Sequence, residues 1–289
     1  MAYVATMDFG IIFANTGAYA TAEGAITMGR CAEENGFESV WTVEHPAIPK
    51  GYESEYPYSR DGRMPGDETA PVPDPLVWLT WVGAHTTTLR LATGVMILPL
   101  RNPVVLAKEC ATLDMLTGGR FILGVGVGWL HEEFDAIGVG WEDRGAHTND
   151  SIRALRALWT QEAASHSGSH SSFSETHSFP KPAAGTIPIV VGGHSPPAAR
   201  RAGRLGDGFF PADPRQLPAL LPIMRAAAEE AGRDPDAIEI TTGGAPTPEI
   251  IKMLADAGVT RMLVPPLAMH PKKLPEAMAR FADEVIAKF

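Results

Sequence analysis

The chain has 289 residues, 45% hydrophobic and 20% charged, with 34 acidic against 24 basic residues and a formal charge of −10. That balance argues against nucleic acid or an anionic membrane as the main partner, and no run approaches the roughly 18 uninterrupted apolar residues of a membrane span. The length suits two ordinary domains or one α/β barrel of about 250 residues.

The N-terminal MAYVATMDFG lacks the basic region of an export signal and reads as the approach to a first strand, MDFGIIF at 7–13. TAEGAITMGRCAEENGF (21–37) is a predicted helix and ESVWTV (38–43) a strand. DPLVWLTWVGAHT (74–86) is a helix entered through Asp74-Pro75, followed by the strand LRLATGVMIL (89–98). NPVVLAKECATLDMLTGG (102–119) is a helix with Pro103 in its first turn. The two cysteines, Cys31 and Cys110, fall on apolar faces of these helices and read as buried free thiols in a reducing cytoplasm. FILGVGVG is the fourth strand. After a linker comes a longer helix, about Asp143 to Trp159. Four more strands follow, IPIVVGG, GFFPA, AIEITTGG and TRMLVPP, each with a helix after it, the last being LPEAMARFADEVIAKF.

Eight strand–helix units imply parallel strands with right-handed crossovers. They close naturally into a (β/α)8 TIM barrel, here one domain over 1–289, with ligands at the C-terminal ends of the strands. An open doubly wound sheet is the competing architecture. Two stretches break the rhythm. Residues 46–73 form a long polar, aromatic and proline-rich loop after strand two, placed as a lid or substrate wall. Residues 161–186, an insertion after the fourth βα unit, carry His166, His170 and His177. A metal site is conceivable there, but a solvated hairpin or mobile insertion explains the composition better.

Strand ends are where chemistry is expected. Strand two ends at Glu44-His45, a carboxylate beside an imidazole, suited to proton transfer near neutral pH. Neighbours on a strand point to opposite faces, so the two do not both face a ligand; a structural histidine under the loop is the plain alternative. Gly94 interrupts strand three, which signals a bulge, a close backbone approach, or simple barrel packing. Gly124, Gly126 and Gly128 alternate along strand four. A dinucleotide fingerprint fails there, because Trp129 stands where its third glycine belongs. Gly192, Gly193, His194 and Ser195 precede a helix, an arrangement that suits a phosphate or is an ordinary strand-to-helix turn.

Taken together, ESVWTVEHPAIP, LATGVMILPLRNPVVLAKECATLDMLTGGRFILGVGVGW and IPIVVGGHSPPAARRAGRLGDGFFP resemble signature segments of the luciferase-like monooxygenase superfamily. The resemblance implies a (β/α)8 barrel with an insertion, binding FMN or the 5-deazaflavin coenzyme F420 at its mouth. It places the glycine strand beneath the flat ring, so that Gly126 and Gly128 leave room and Trp129 turns into the pocket. It places a non-prolyl cis peptide at Gly94-Val95, after Thr93, and the phosphate on Gly192, Gly193, His194 and Ser195. His45 matches a histidine near the reacting carbon, with Glu44 where relatives often carry Asp. Trp129 departs from the sugar-phosphate-oxidising members, which hold a glutamate acid there.

GVGWLHEEFDAIG, with WEDRG and RALW, resembles the deazaflavin branch more than the long-chain FMN monooxygenases. The expectation is therefore an F420-dependent oxidoreductase acting on a small organic substrate, cytoplasmic and homodimeric. An FMN-dependent monooxygenase is the alternative and a non-catalytic flavin-binding barrel the third reading. Trp41, Trp141 and Phe210, with Trp129, are expected to line a partly apolar substrate pocket. A cofactor-free hydrolase would need a nucleophile–base pair beyond Glu44/His45, and the strand ends show none.

Overall fold

The computed structural model describes residues 7–59 and 61–289. The first six residues of MAYVATMDFG, and Arg60 in the long loop, lie outside the described residues. The strands are β1 (Asp8–Ile12), β2 (Ser39–Thr42), β3 (Arg90–Thr93), β4 (Met96–Ile97), β5 (Phe121–Gly126), β6 (Ala164–Ser167), β7 (Ser172–Thr176), β8 (Ile189–Gly192), β9 (Gly208–Phe210), β10 (Glu239–Gly243) and β11 (Arg261–Val264). The helices are α1 (Ala22–Glu34), α2 (Pro75–Gly83), α3 (Pro103–Leu116), α4 (His131–Ile137), α5 (Arg144–Thr160), α6 (Pro196–Leu205), α7 (Leu217–Glu230), α8 (Pro248–Asp256) and α9 (Leu274–Glu284).

Capping chemistry sets several helix starts. Thr21, Asp74 and Asn102 each accept a backbone N–H from the first turn of α1, α2 and α3, and Pro75 and Pro103 follow the last two. Each helix then returns the chain antiparallel to the strand before it, which leaves consecutive strands parallel. The order β3-β2-β1-β11-β10-β9-β8-β5 closes through β3–β5 pairing, with Leu91 opposite Phe121. β4 continues the line of β3 beside β5, pairing Met96 with Val125. The result is a closed parallel barrel of eight strands, the (β/α)8 architecture, and not the open sheet.

Inward positions of the strands fill the barrel with Ile12, Trp41, Ala92, Ile122, Val190, Phe210 and Leu263. The outward positions pack on the helices, where Cys31 and Cys110 are buried free thiols. At the N-terminal end of the barrel, Arg261 is 1% exposed and donates to Glu38, Glu239 and the Thr241 hydroxyl.

Local differences from the sequence reading have identifiable causes. Strand three is split at the cis Gly94-Val95 bond. The linker after the fourth strand contains α4, ended by Gly138 in the left-handed region at φ 79°. The histidine-rich segment forms the antiparallel hairpin β6–β7. Its tip folds against α5, where Asp150 accepts from the His170 and Ser171 amides and meets His166 Nε2 at 2.9 Å. The closing helix stops at Glu284, with a short 3-10 turn after it. Among the described residues, no helix is long and apolar enough to cross a membrane.

Candidate active site

The C-terminal ends of the strands bring His45, Val95, Trp129 and the turn 192–195 to one face of the barrel. Their arrangement starts from the break in strand three. Thr93 is fully buried and its hydroxyl donates to the Gly124 carbonyl at 2.7 Å. A Cβ on Gly124 would lie 1.8 Å from the Thr93 carbonyl oxygen. Beyond the cis bond, Val95 enters the space that side chains would occupy on both Gly126 and Gly192, its γ-methyls 2.6 Å from either ideal Cβ position. At Gly128 the backbone is left-handed, φ 85°, and Phe134 takes the side-chain space.

This corrects one expectation. Gly126 and Gly128 make room for Val95 and Phe134, so their bare backbone serves the protein's own packing.

Glu44 and His45, just past the end of β2, engage different partners. Glu44 is 4% exposed; its carboxylate accepts from the Ile97 amide at 2.6 Å and from Arg101 Nε at 2.9 Å, while Arg101 also reaches Asp74 at 2.7 Å. Burial pushes the Glu44 carboxyl above the usual carboxylate range, and Arg101 and the Ile97 amide pull partly against that. The assignment of Glu44 to proton transfer beside His45 is therefore corrected. Its oxygens tie β2 to the segment after the bulge.

His45 faces the other way. Its Nδ1 lies 3.2 Å from Glu133 Oε2, with the Glu133 side chain fully buried and His45 9% exposed. Glu133 Oε1 accepts the Ala47 amide at 3.1 Å. The His45 ring stands edge-on to Trp129, centroids 5.6 Å apart.

The long loop 46–73 folds over this group. Tyr52 and Tyr56 pack edge-on against Trp129 at 5.6 and 5.1 Å, and Tyr58 against His194 at 5.1 Å. Burial first, and then Tyr58 and Tyr52, push the Tyr56 phenol up to about 12. Glu132 anchors the loop by accepting from the Glu53 amide, the Ser54 amide and the Ser54 hydroxyl at 2.6, 3.0 and 2.6 Å. A cavity of about 380 Å³ opens beside Glu44 and His45, walled by Pro46, Val72, Asp74, Leu100 and Arg101 among others.

The turn before α6 has fewer free amide donors than the sequence implied, and the Gly193 amide already donates to the Phe210 carbonyl at 3.2 Å. Gly193 sits at φ 135°, a conformation L side chains rarely adopt, and a Cβ there would meet Ala198 at 2.8 Å. The Ser195 hydroxyl caps α6 by accepting the Ala198 amide at 3.4 Å. Pro196 and Pro197 carry no N–H, which removes two donors usual at a helix start. His194 Nδ1 is buried without a hydrogen-bond partner among the described residues.

Three expected pocket residues lie elsewhere. Trp41 is fully buried, donates its indole N–H to Ser39 and tilts against Phe210 at 5.8 Å inside the barrel. Phe210, 7% exposed, belongs to the same core. Trp141 stacks behind α4, against Phe134 at 5.0 Å and under the Arg144 guanidinium at 3.6 Å. The inward register of β2 and β9, and the intervening α4, account for these corrections. Sequence reasoning missed Glu132, Glu133, Tyr56 and Tyr58. Paired acids opening HEEFDAIG were a helix-start signal, but that stretch was read as a linker.

A sequence profile described as luciferase-like monooxygenase matches residues 7–248. The uncharacterized protein Rv0940c of Mycobacterium tuberculosis is 33% identical over 274 residues, 91% of this chain and 94% of that protein. An F420-dependent glucose-6-phosphate dehydrogenase of Kineococcus radiotolerans is 32% identical over 219 residues, 73% of this chain and 59% of the relative. Among solved structures, the monooxygenase RslO1 from Streptomyces bottropensis superposes with a TM-score of 0.77 at 23% identity, covering 98% of this chain and 99% of that one.

Proposed function

We infer a function from one premise: this chain belongs to the luciferase-like monooxygenase family. It is an oxidoreductase of that family, and its cofactor is coenzyme F420. The observation that carries the cofactor is the F420-dependent relative, aligned over 73% of this chain. RslO1, at 23% identity, speaks for the fold alone. Glucose 6-phosphate does not carry over as substrate, because Trp129 stands where the sequence resemblance places the glutamate acid of those enzymes.

The residues present fit such a cofactor. The turn from Gly192 to Ser195 offers the Ser195 hydroxyl and the unpartnered His194 Nδ1 to a phosphate, while the Gly193 amide is taken by the Phe210 carbonyl at 3.2 Å. The Val95 bulge and the Trp129 ring offer apolar surface to a planar ring. A bound deazaflavin supplies hydride exchange at a ring carbon and reacts poorly with oxygen, and the protein supplies orientation. His45 handles the proton that accompanies the hydride, and the cavity beside it takes a small organic substrate. The homodimer implied by family resemblance belongs to the same reading, and light scattering on the purified chain tests it.

Titration of the purified chain with F420 and FMN, followed by fluorescence, decides the cofactor. The expected outcome is F420 binding in the micromolar range, about −8 kcal/mol, with FMN weaker. Tight FMN binding without measurable F420 binding reverses the assignment in favour of an FMN monooxygenase. Binding of either without turnover of any hydride donor or acceptor leaves a non-catalytic flavin-binding barrel. Gly193→Val should weaken F420 binding while the barrel stays folded.

A further inference from the structure

We propose that Glu133 is the positioning residue of His45: it fixes the imidazole as the Nδ1–H tautomer and thereby presents Nε2 as the atom that exchanges the substrate proton. The role of that proton rests on the oxidoreductase reading above; the tautomer does not.

A carboxylate only accepts hydrogen bonds, whereas a neutral imidazole has one N–H and one lone pair. Glu133 Oε2 faces His45 Nδ1 at 3.2 Å, so the N–H belongs on Nδ1 and the lone pair on Nε2. The carboxylate itself is not free to turn. Its other oxygen is held by the Ala47 amide at 3.1 Å, two residues beyond His45. The Glu133 side chain is fully buried, so leaving either oxygen unpaired would be costly. A flip of the ring would do that, by removing Nδ1 from Oε2.

The ring plane is fixed from a second side. Trp129 stands edge-on to His45 at 5.6 Å and lies four residues before Glu133 in the chain. The turn from β5 into α4 thus grips one imidazole by its edge and by its nitrogen. No hydrogen bond engages Nε2 among the described residues, and His45 is one of the residues that line the 380 Å³ cavity. A bound deazaflavin would supply the hydride exchange, and His45 Nε2 would take the proton released by an oxidised substrate or return it to a reduced one. Glu133 touches neither substrate nor cofactor in this account.

The test uses the full chain labelled with [15N]histidine, without cofactor, at about pH 8.5, where a free imidazole is neutral. His45 is assigned by the signal lost in His45→Gln. The expected spectrum has a protonated Nδ1 and an unprotonated Nε2. Glu133→Gln places an amide there that can donate to Nδ1, so the Nε2–H form should rise. Turnover should then fall by about 10-fold or more, with F420 affinity within about 2-fold of the parent. An Nε2–H tautomer in the parent protein overturns the proposal, and so does a Glu133→Gln spectrum unchanged from the parent. If Glu133→Gln does not fold, the parent spectrum alone decides. Absence of F420 binding would remove the cofactor assignment and leave the tautomer result standing.

Discussion

Val95 fills the side-chain space of Gly126: a Cβ on Gly126 would meet the Val95 γ-methyl at 2.6 Å. Gly124 is tighter still, at 1.8 Å from the Thr93 carbonyl. The two glycines therefore predict different failures. Gly124→Ala must move backbone and should destabilise by about 3 kcal/mol or more, at the upper end of overpacking. Gly126→Ala meets only a side chain, so it should unfold closer to the parent temperature while displacing Val95 and weakening F420 binding. Thermal unfolding and cofactor titration on both variants check this, and equal losses in both would contradict it.

His45→Ala should lower turnover by about 10²–10⁴-fold, the usual worth of general acid–base assistance, with F420 affinity little changed. If His45 mainly holds the cofactor ring, affinity falls along with turnover. A purely structural histidine gives a lower melting temperature and normal turnover per folded molecule. Measuring all three quantities on the one variant separates these roles.

Glu132 sets a pH dependence for the loop. Burial opposes its ionisation, but the hydrogen bonds from the Ser54 hydroxyl, its own amide and the Glu53 and Ser54 amides together outweigh it and bring its carboxyl down to about 2 from 4.5. Because the folded value is depressed, its contribution is present above pH 4.5 and is lost as pH falls from there through about 2. The stability difference between the parent and Glu132→Gln should therefore be constant near neutrality, shrink below pH 4.5 and vanish near pH 2. Denaturant unfolding across that range, with proteolysis of 46–73 as a local probe, measures it. A difference that persists undiminished at pH 2 would mean that Glu132 holds the loop without its charge.

Arg261 should matter to stability alone. It is 1% exposed at the N-terminal end of the barrel, holding Glu38 and Glu239, and Glu38 also pairs with Arg90. Breaking a buried pair commonly costs about 3–5 kcal/mol, and Arg261→Met should fall at the low end because Arg90 remains. Turnover per folded molecule should match the parent, since chemistry on this fold sits at the opposite end. Reduced turnover at full folding would show that the two ends are coupled.

The sequence by itself determined the barrel. Apolar runs of strand length alternating with amphipathic helices are a local property of the chain, and eight such units leave few ways to bury both faces of the strands. It also located His45 at a strand end and the 192–195 turn before a helix, because turn residues and caps act within a few positions of themselves. What it could not determine depends on barrel closure. The inward register that buries Trp41 and Phe210 follows from the stagger of neighbouring strands, which no single segment encodes. Glu133 meets His45 across 88 positions of sequence, and Tyr58 reaches His194 only after the loop has crossed the mouth. The glycines of strand four were legible as places of close approach, but only the folded barrel decided that Val95, Thr93 and Phe134 are what approach them. Local pattern fixes which face of an element is apolar, whereas the partner across a closed sheet is chosen by the whole sheet at once.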